Sequence, residues 1–144
     1  MTYLARSGAK DLLVAIGSIS HTGALALNDY MTLTLDHDEL SITGSGGTTL
    51  TLGEGHYLAS AILGADATNA ASDLVDFQLE VDGVLLGAKG GRQPVGKVGS
   101  DAAECVFTVP KASTSDLRLK ITAVGGSVTV LSDYSQVYIR KVTL

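Results

Sequence analysis

The chain has 144 residues and a formal net charge of −5, with 45% hydrophobic and only 17% charged residues; this describes one compact acidic domain and excludes a disordered chain. No cluster of Lys or Arg offers a cationic surface to phosphates, which argues against nucleic acid and anionic membranes as partners. One cysteine, Cys105, rules out a disulfide framework, and a mean hydropathy of +0.28 leaves little surface suited to free exposure, which points to an oligomer.

Residues 1–11 carry two apolar side chains, Tyr3 and Leu4, with no alternation to bury them, and read as an N-terminal arm. The apolar run that follows, Leu12 to Ile16, is too short for the h-region of an export signal, about 7–15 residues. No stretch reaches the roughly 20 apolar residues of a membrane span. With no internal repeat, linker or charge block, residues 12–144 read as a single domain.

The dominant period is two. Leu12–Ile19, Tyr30–Leu35 and Thr48–Leu52 are strand candidates, punctuated by Gly44-Ser45-Gly46-Gly47. Tyr57–Leu63 is another; the Ala-rich stretch 59–71 competes as a helix, but Gly64 interrupts it and Asp66, Thr68 and Asn69 supply no apolar stripe. The clearest strand runs through Val75, Phe77, Leu79 and Val81, alternating with Asp76, Gln78 and Glu80. Asp82-Gly83 then predicts a two-residue hairpin into Val84-Leu85-Leu86, because that turn needs positive φ. Residues 87–99, rich in glycine and basic, read as a long exposed loop. Glu104–Val109 follows, then Leu117–Thr122, which Gly125-Gly126 predicts to form a second hairpin with Ser127–Leu131, and finally Ser135–Thr143. Roughly nine or ten short strands at this spacing predict an all-β sandwich or barrel.

Chemical motifs fail in turn. Gly91 to Lys97 fits seven positions of a phosphate-binding loop, but Val98 stands where a Ser or Thr must reach the metal. Asp36-His37-Asp38-Glu39 crowds three carboxylates and an imidazole, yet Ser41 and Gly47 occupy the positions where a calcium loop needs Gly and Glu, so it reads as an acidic strand end. His21, His37 and His56 are scattered without metal-ligand spacing, and His56 reads as a turn residue. Cys105 alternates with Phe107 and Val109 and reads as a buried structural thiol. No catalytic, cofactor-binding or metal residue is assigned, and the expectation is a protein that is not an enzyme.

Three stretches in order carry a resemblance. Residues 50–61, LTLGEGHYLASA, resemble the strand, Gly turn and Tyr-led strand of tumour necrosis factor-like jelly rolls; Phe77–Gly83 resembles their long central strand, and Tyr134–Val142 their last. The resemblance spans roughly residues 48–144 and implies a ten-strand, two-sheet jelly roll that trimerises through apolar and aromatic side chains near a threefold axis. It implies Tyr57, Tyr134 and Tyr138 as trimer-interface residues. With 5% aromatic residues and no visible export signal, the chain departs from the animal members and is similar to the decoration, or cement, proteins of tailed-bacteriophage heads. The function implied is a homotrimeric structural protein, made in the host cytoplasm, that stabilises the capsid exterior by binding the major capsid protein, with Tyr3 and Leu4 of the arm in the docking surface. The alternative is a receptor- or glycan-binding fibre-tip module of the same fold.

Overall fold

The computed structural model describes residues 12–67, 74–92 and 99–142; the arm, with Tyr3 and Leu4, lies outside the described residues. Ten strands run in chain order: β1 Leu12–Ser20, β2 Thr32–Asp38, β3 Leu50–Leu52, β4 Gly55–Ala67, β5 Leu74–Val81, β6 Val84–Arg92, β7 Gly99–Val109, β8 Ser115–Gly125, β9 Val128–Val130 and β10 Gln136–Val142. All pairings are antiparallel. One sheet has the order β2-β1-β10-β4-β7, with β9 on the far end of β4, and the other has the order β6-β5-β8-β3. The expected two-sheet sandwich of about ten strands is what the chain forms; residues 59–67 of the Ala-rich stretch enter it in the long strand β4, and 68–71 lie outside the described residues.

Alternation decides which side chains go inside. On β5 the buried set is Val75, Phe77, Leu79 and Val81; on β8 it is Leu117, Leu119 and Ile121; on β10 it is Val137 and Ile139. The two sheets contribute unequally. The second sheet supplies more of the bulk, whereas the first sets Ala15, Ala59, Ala61, Ala65 and Ala103, all fully buried in the same cluster, among larger Ile19, Leu33, Leu63 and Ile139. Large residues against small ones fill the interior without forcing the sheets apart.

The Asp82-Gly83 turn has φ of 50° and 83°, as a two-residue hairpin requires, and it pairs Val81 with Val84. The second expected hairpin does not form. β8 pairs with β5 and β3, whereas β9 crosses to the other sheet and pairs with β4 at Ala65–Ala67. Gly125-Gly126 is thus a sheet-to-sheet crossing; a period of two marks a strand but not its partner.

The expected loop 87–99 is also corrected, because its first half is strand. β6 continues to Arg92, and 93–98 lie outside the described residues. Glycine is demanded here by packing: a Cβ on Gly90 would come within 2.5 Å of the Phe77 ring, and one on Gly91 within 2.1 Å of the Asp76 carboxylate. Between Phe77 and Leu79 the β5–β6 register shifts, so that Ala88 reaches Glu104 of β7 and links the two sheets along one edge.

Gly87 makes that link possible: its φ is +75°, and a Cβ would lie 2.0 Å from the Glu104 carbonyl oxygen. Gly87→Ala is expected to lower stability by about 1–3 kcal/mol through backbone strain alone. Chemical denaturation measures this; an unchanged midpoint would show that the edge is not closed here.

Candidate functional site

Each sheet has an outward face, and their chemistries differ. On the second sheet that face is laced with charge already paired within the chain. Lys89 Nζ lies 3.4 Å from Asp76 and Lys120 Nζ 3.9 Å from Glu80. The Tyr30 hydroxyl donates to both Glu80 oxygens at 3.0 and 3.2 Å, and the Arg118 guanidinium sits 4.8 Å over the Tyr30 ring. Tyr30, Glu80, Arg118 and Lys120, with Asp82 and Asp116, ring an open polar bowl of about 670 Å³.

The outward face of the first sheet is built from the opposite parity of β1, β10, β4 and β7. Register places three rows across it: Val14, Arg140, Leu58 and Val106; Ile16, Tyr138, Ser60 and Glu104; Ser18, Gln136, Ile62 and Ala102. Of these twelve residues only Arg140 and Glu104 carry charge. Val106 is 73% exposed and Ile62 38%. A depression of about 380 Å³ opens among His56, Leu58, Val106, Arg140 and Val142, and another of about 360 Å³ among Ile16, Ile62, Tyr134 and Gln136, with Asp36 and Asp133 at its margin. Beside the first, His56 Nδ1 lies 2.9 Å from the Thr108 hydroxyl. Arg140 Nε is shut off from solvent with no hydrogen-bond partner, which costs about 1–3 kcal/mol while it stays unmet.

The three tyrosines expected at an interface separate. Tyr138 lies on this face, in the middle row. Tyr134, 62% exposed, stands at its margin on the 3₁₀ turn Ser132–Tyr134. Tyr57 is turned inward, because it has the parity of Ala59 rather than of Leu58. Only 3% of it is exposed; its ring stacks on Phe107 at 5.4 Å and its hydroxyl donates to the Gly53 carbonyl at 2.8 Å. Burial, and secondarily the Glu54 charge, pushes that phenol above its ordinary value. Leu58, Ile62, Val106, Arg140 and Glu104 were not singled out from the sequence. Their signal is that Tyr57–Leu63 and Cys105–Phe107 are apolar at both parities, the pattern of strands covered on both faces.

The other candidate groups have structural occupations. Asp38 accepts from the amides of Leu40 at 2.7 Å and Ile42 at 2.8 Å, and Glu39 accepts from that of Val14 at 3.1 Å, so the acidic strand end ties down its own loop. His21 Nε2 lies 3.0 Å from Asp29. Gly91, the first residue of the phosphate-loop pattern, is in β6, and 93–97 lie outside the described residues. Cys105 is buried, and burial pushes its thiol up to about 11.

The unfolded thiol ionises near 9, so the unfolded chain releases this proton first as pH rises. The stability that the neutral thiol contributes is whole below pH 9 and is lost as pH rises through about 11, on the order of 2 kcal/mol. Urea denaturation at pH 8 and pH 10.5 should show a larger loss for the native sequence than for Cys105→Ala. Equal losses would place the thiol in water.

No protein-family model matches the chain, and no curated protein sequence matches it. Solved structures do. The chain is similar to the globular domain of zebrafish complement 1qA protein, with a TM-score of 0.65 at 9% identity over 92% of this chain and 98% of that one. It is also similar to the Eiger TNF of S. frugiperda, with a TM-score of 0.57 at 15% identity, covering 92% and 94%. Murine APRIL gives a TM-score of 0.57 at 12% identity, covering 90% and 99%. The tumour necrosis factor and complement 1q type of jelly roll is therefore the fold of this chain.

Proposed function

We propose that this protein is a structural module that works as a homotrimer, with the outward face of the β2-β1-β10-β4-β7 sheet turned toward the threefold axis, and that the trimer decorates and stabilises the head of a tailed bacteriophage. The observation that carries the assembly reading is the inequality of the two outward faces. One is charged and largely paired within the chain; the other presents Val106, Ile62, Leu58 and Tyr138 around Arg140 and Glu104, with Asp36 and Asp133 only at its margin. Contiguous apolar surface of this kind marks an interaction site on soluble proteins. Fold neighbours of the complement 1q and tumour necrosis factor type support the architecture.

The capsid reading rests on the resemblance of the chain and on what a cement protein needs. Binding across junctions of the major capsid protein on the outside of the shell stabilises the assembled state by RT ln(1 + [L]/Kd), on the order of 3 kcal/mol per site at a hundredfold excess over Kd. That demands a cohesive trimer and a docking surface, with no catalytic step, cofactor or metal. The arm, with Tyr3 and Leu4, is the docking surface in this reading. A second reading, a fibre-tip module that binds a receptor or glycan, draws on the polar bowl around Tyr30, Glu80, Arg118 and Lys120; glycan-array binding abolished by Arg118→Ala would favour it over the capsid.

Light scattering at micromolar concentration is expected to give three times the 14.8 kDa chain mass; the single-chain mass would overturn the assembly. Val106→Asp should release monomers while leaving monomer stability within about 0.5 kcal/mol, as at any exposed position. Tyr138→Ala should weaken the trimer without unfolding the chain. For the capsid, the trimer should co-sediment with heads of the phage that encodes it, and deletion of residues 2–11 should abolish this while preserving the trimer. An intact trimer that binds no head would remove the function, and a truncated trimer that binds as well as the full chain would remove the arm.

A further inference from the structure

Asp36 and Asp133 line one depression at the margin of the first sheet's outward face, whereas Arg140 and Glu104, opposite in sign, stand within its rows and do not meet. Glu104 lies on β7, at the edge where the two sheets join, and Arg140 lies on β10, two strands away in the middle of the sheet. Strand spacing and a two-residue offset set their backbones roughly 12 Å apart. The ion pairs among the described residues are those of His21, His37, Lys89 and Lys120, and neither Arg140 nor Glu104 is in them. Each is instead surrounded by neutral neighbours: Val14, Leu58 and Val106 share the row of Arg140, and Ser60, Tyr138 and Ile16 that of Glu104. Arg140 Nε has no acceptor among the described residues.

Resting on the homotrimer reading, we propose that Arg140 of each protomer receives Glu104 of the next, so that three such pairs ring the threefold axis. A closed ring of identical subunits joins two different patches of each, and a protomer must present both halves of the contact at separate places. A carboxylate toward one edge of the sheet and an unmatched guanidinium at its centre are such halves. Each chain gives Glu104 in one direction and receives a carboxylate from the other, and three steps close the ring. With Nε shut off from solvent, the guanidinium takes a carboxylate end-on through its two terminal nitrogens, in two parallel hydrogen bonds. In apolar surroundings the pair acts mainly on register, because any docking that leaves Arg140 covered and unmatched carries the full desolvation penalty of that charge.

The test is a charge exchange, read as the trimer–monomer dissociation constant by analytical ultracentrifugation, with far-UV circular dichroism on every variant. Arg140→Glu and Glu104→Arg singly put like charges together, and each is expected to raise the constant about 100-fold or more. The double exchange Arg140→Glu with Glu104→Arg restores the pair with its direction reversed, and is expected to return to within about tenfold of the native protein. Glu104→Gln, at an exposed position, keeps shape and fold and should weaken the trimer about tenfold, so the inference stays testable even where a reversal disturbs folding. Single reversals that assemble like the native chain, or a double exchange no better than the worse single, would overturn the pair while leaving the trimer intact. A native chain of single-chain mass would instead fail the homotrimer reading itself, and the pair with it.

Discussion

The constraint on which the rest depends is the way β4 divides its residues by size. Its inward positions are mostly alanines, at 59, 61 and 65, and Ala15 and Ala103 repeat this on the strands to either side. Phe77, Leu79, Leu117, Leu119 and Ile121 of the opposite sheet fill the space those alanines leave. Exchanging large for small across that boundary would open a cavity on one side and force overlap on the other, each costing on the order of several kcal/mol. On the opposite parity of β4, Leu58 and Ile62 stand outside, and Val106 on β7 extends the same apolar surface.

Seen this way, the low charge of the chain is a property of one face rather than of the whole molecule. The second sheet carries ordinary amounts of charge and pairs it locally, down to a nearly buried Glu80 held by Tyr30 and Lys120. A composition of 17% charged residues averages a conventionally charged face with one whose central rows hold little charge. Average hydropathy raised the prospect of an oligomer, but only the sheet order located the surface, since its four strands come from the beginning, middle and end of the chain.

The same distinction accounts for what could and could not be read in advance. β5, β8 and β10 were legible because their alternation is clean, and the Asp82-Gly83 turn because its geometry admits few residues. β9 was legible as a strand but not as a partner of β4, because pairing across sheets leaves no local mark. The second half of β6 was hidden by its own glycines, which the Phe77 ring and the Asp76 carboxylate require and which in isolation resemble a loop. In the candidate site, the family resemblance pointed to Tyr57, although its parity with Ala59 places it inside; Arg140 and Glu104 carry no motif at all. Their relation exists only once β4 has been laid between β10 and β7.

A face of this composition also bears on why two charges persist in it. Apolar residues at both positions would bind a second copy at least as strongly, since burying a matched ion pair returns little net free energy after desolvation. They would bind it in many registers, because apolar contact is without direction. One unmatched guanidinium beside Leu58 and Val106 changes that: arrangements that cover it without a carboxylate lose several kcal/mol per subunit, whereas the arrangement that supplies one loses little. In the proposed trimer, Arg140 and Glu104 would then be enough to select one closed assembly from the many that the apolar surface alone would allow.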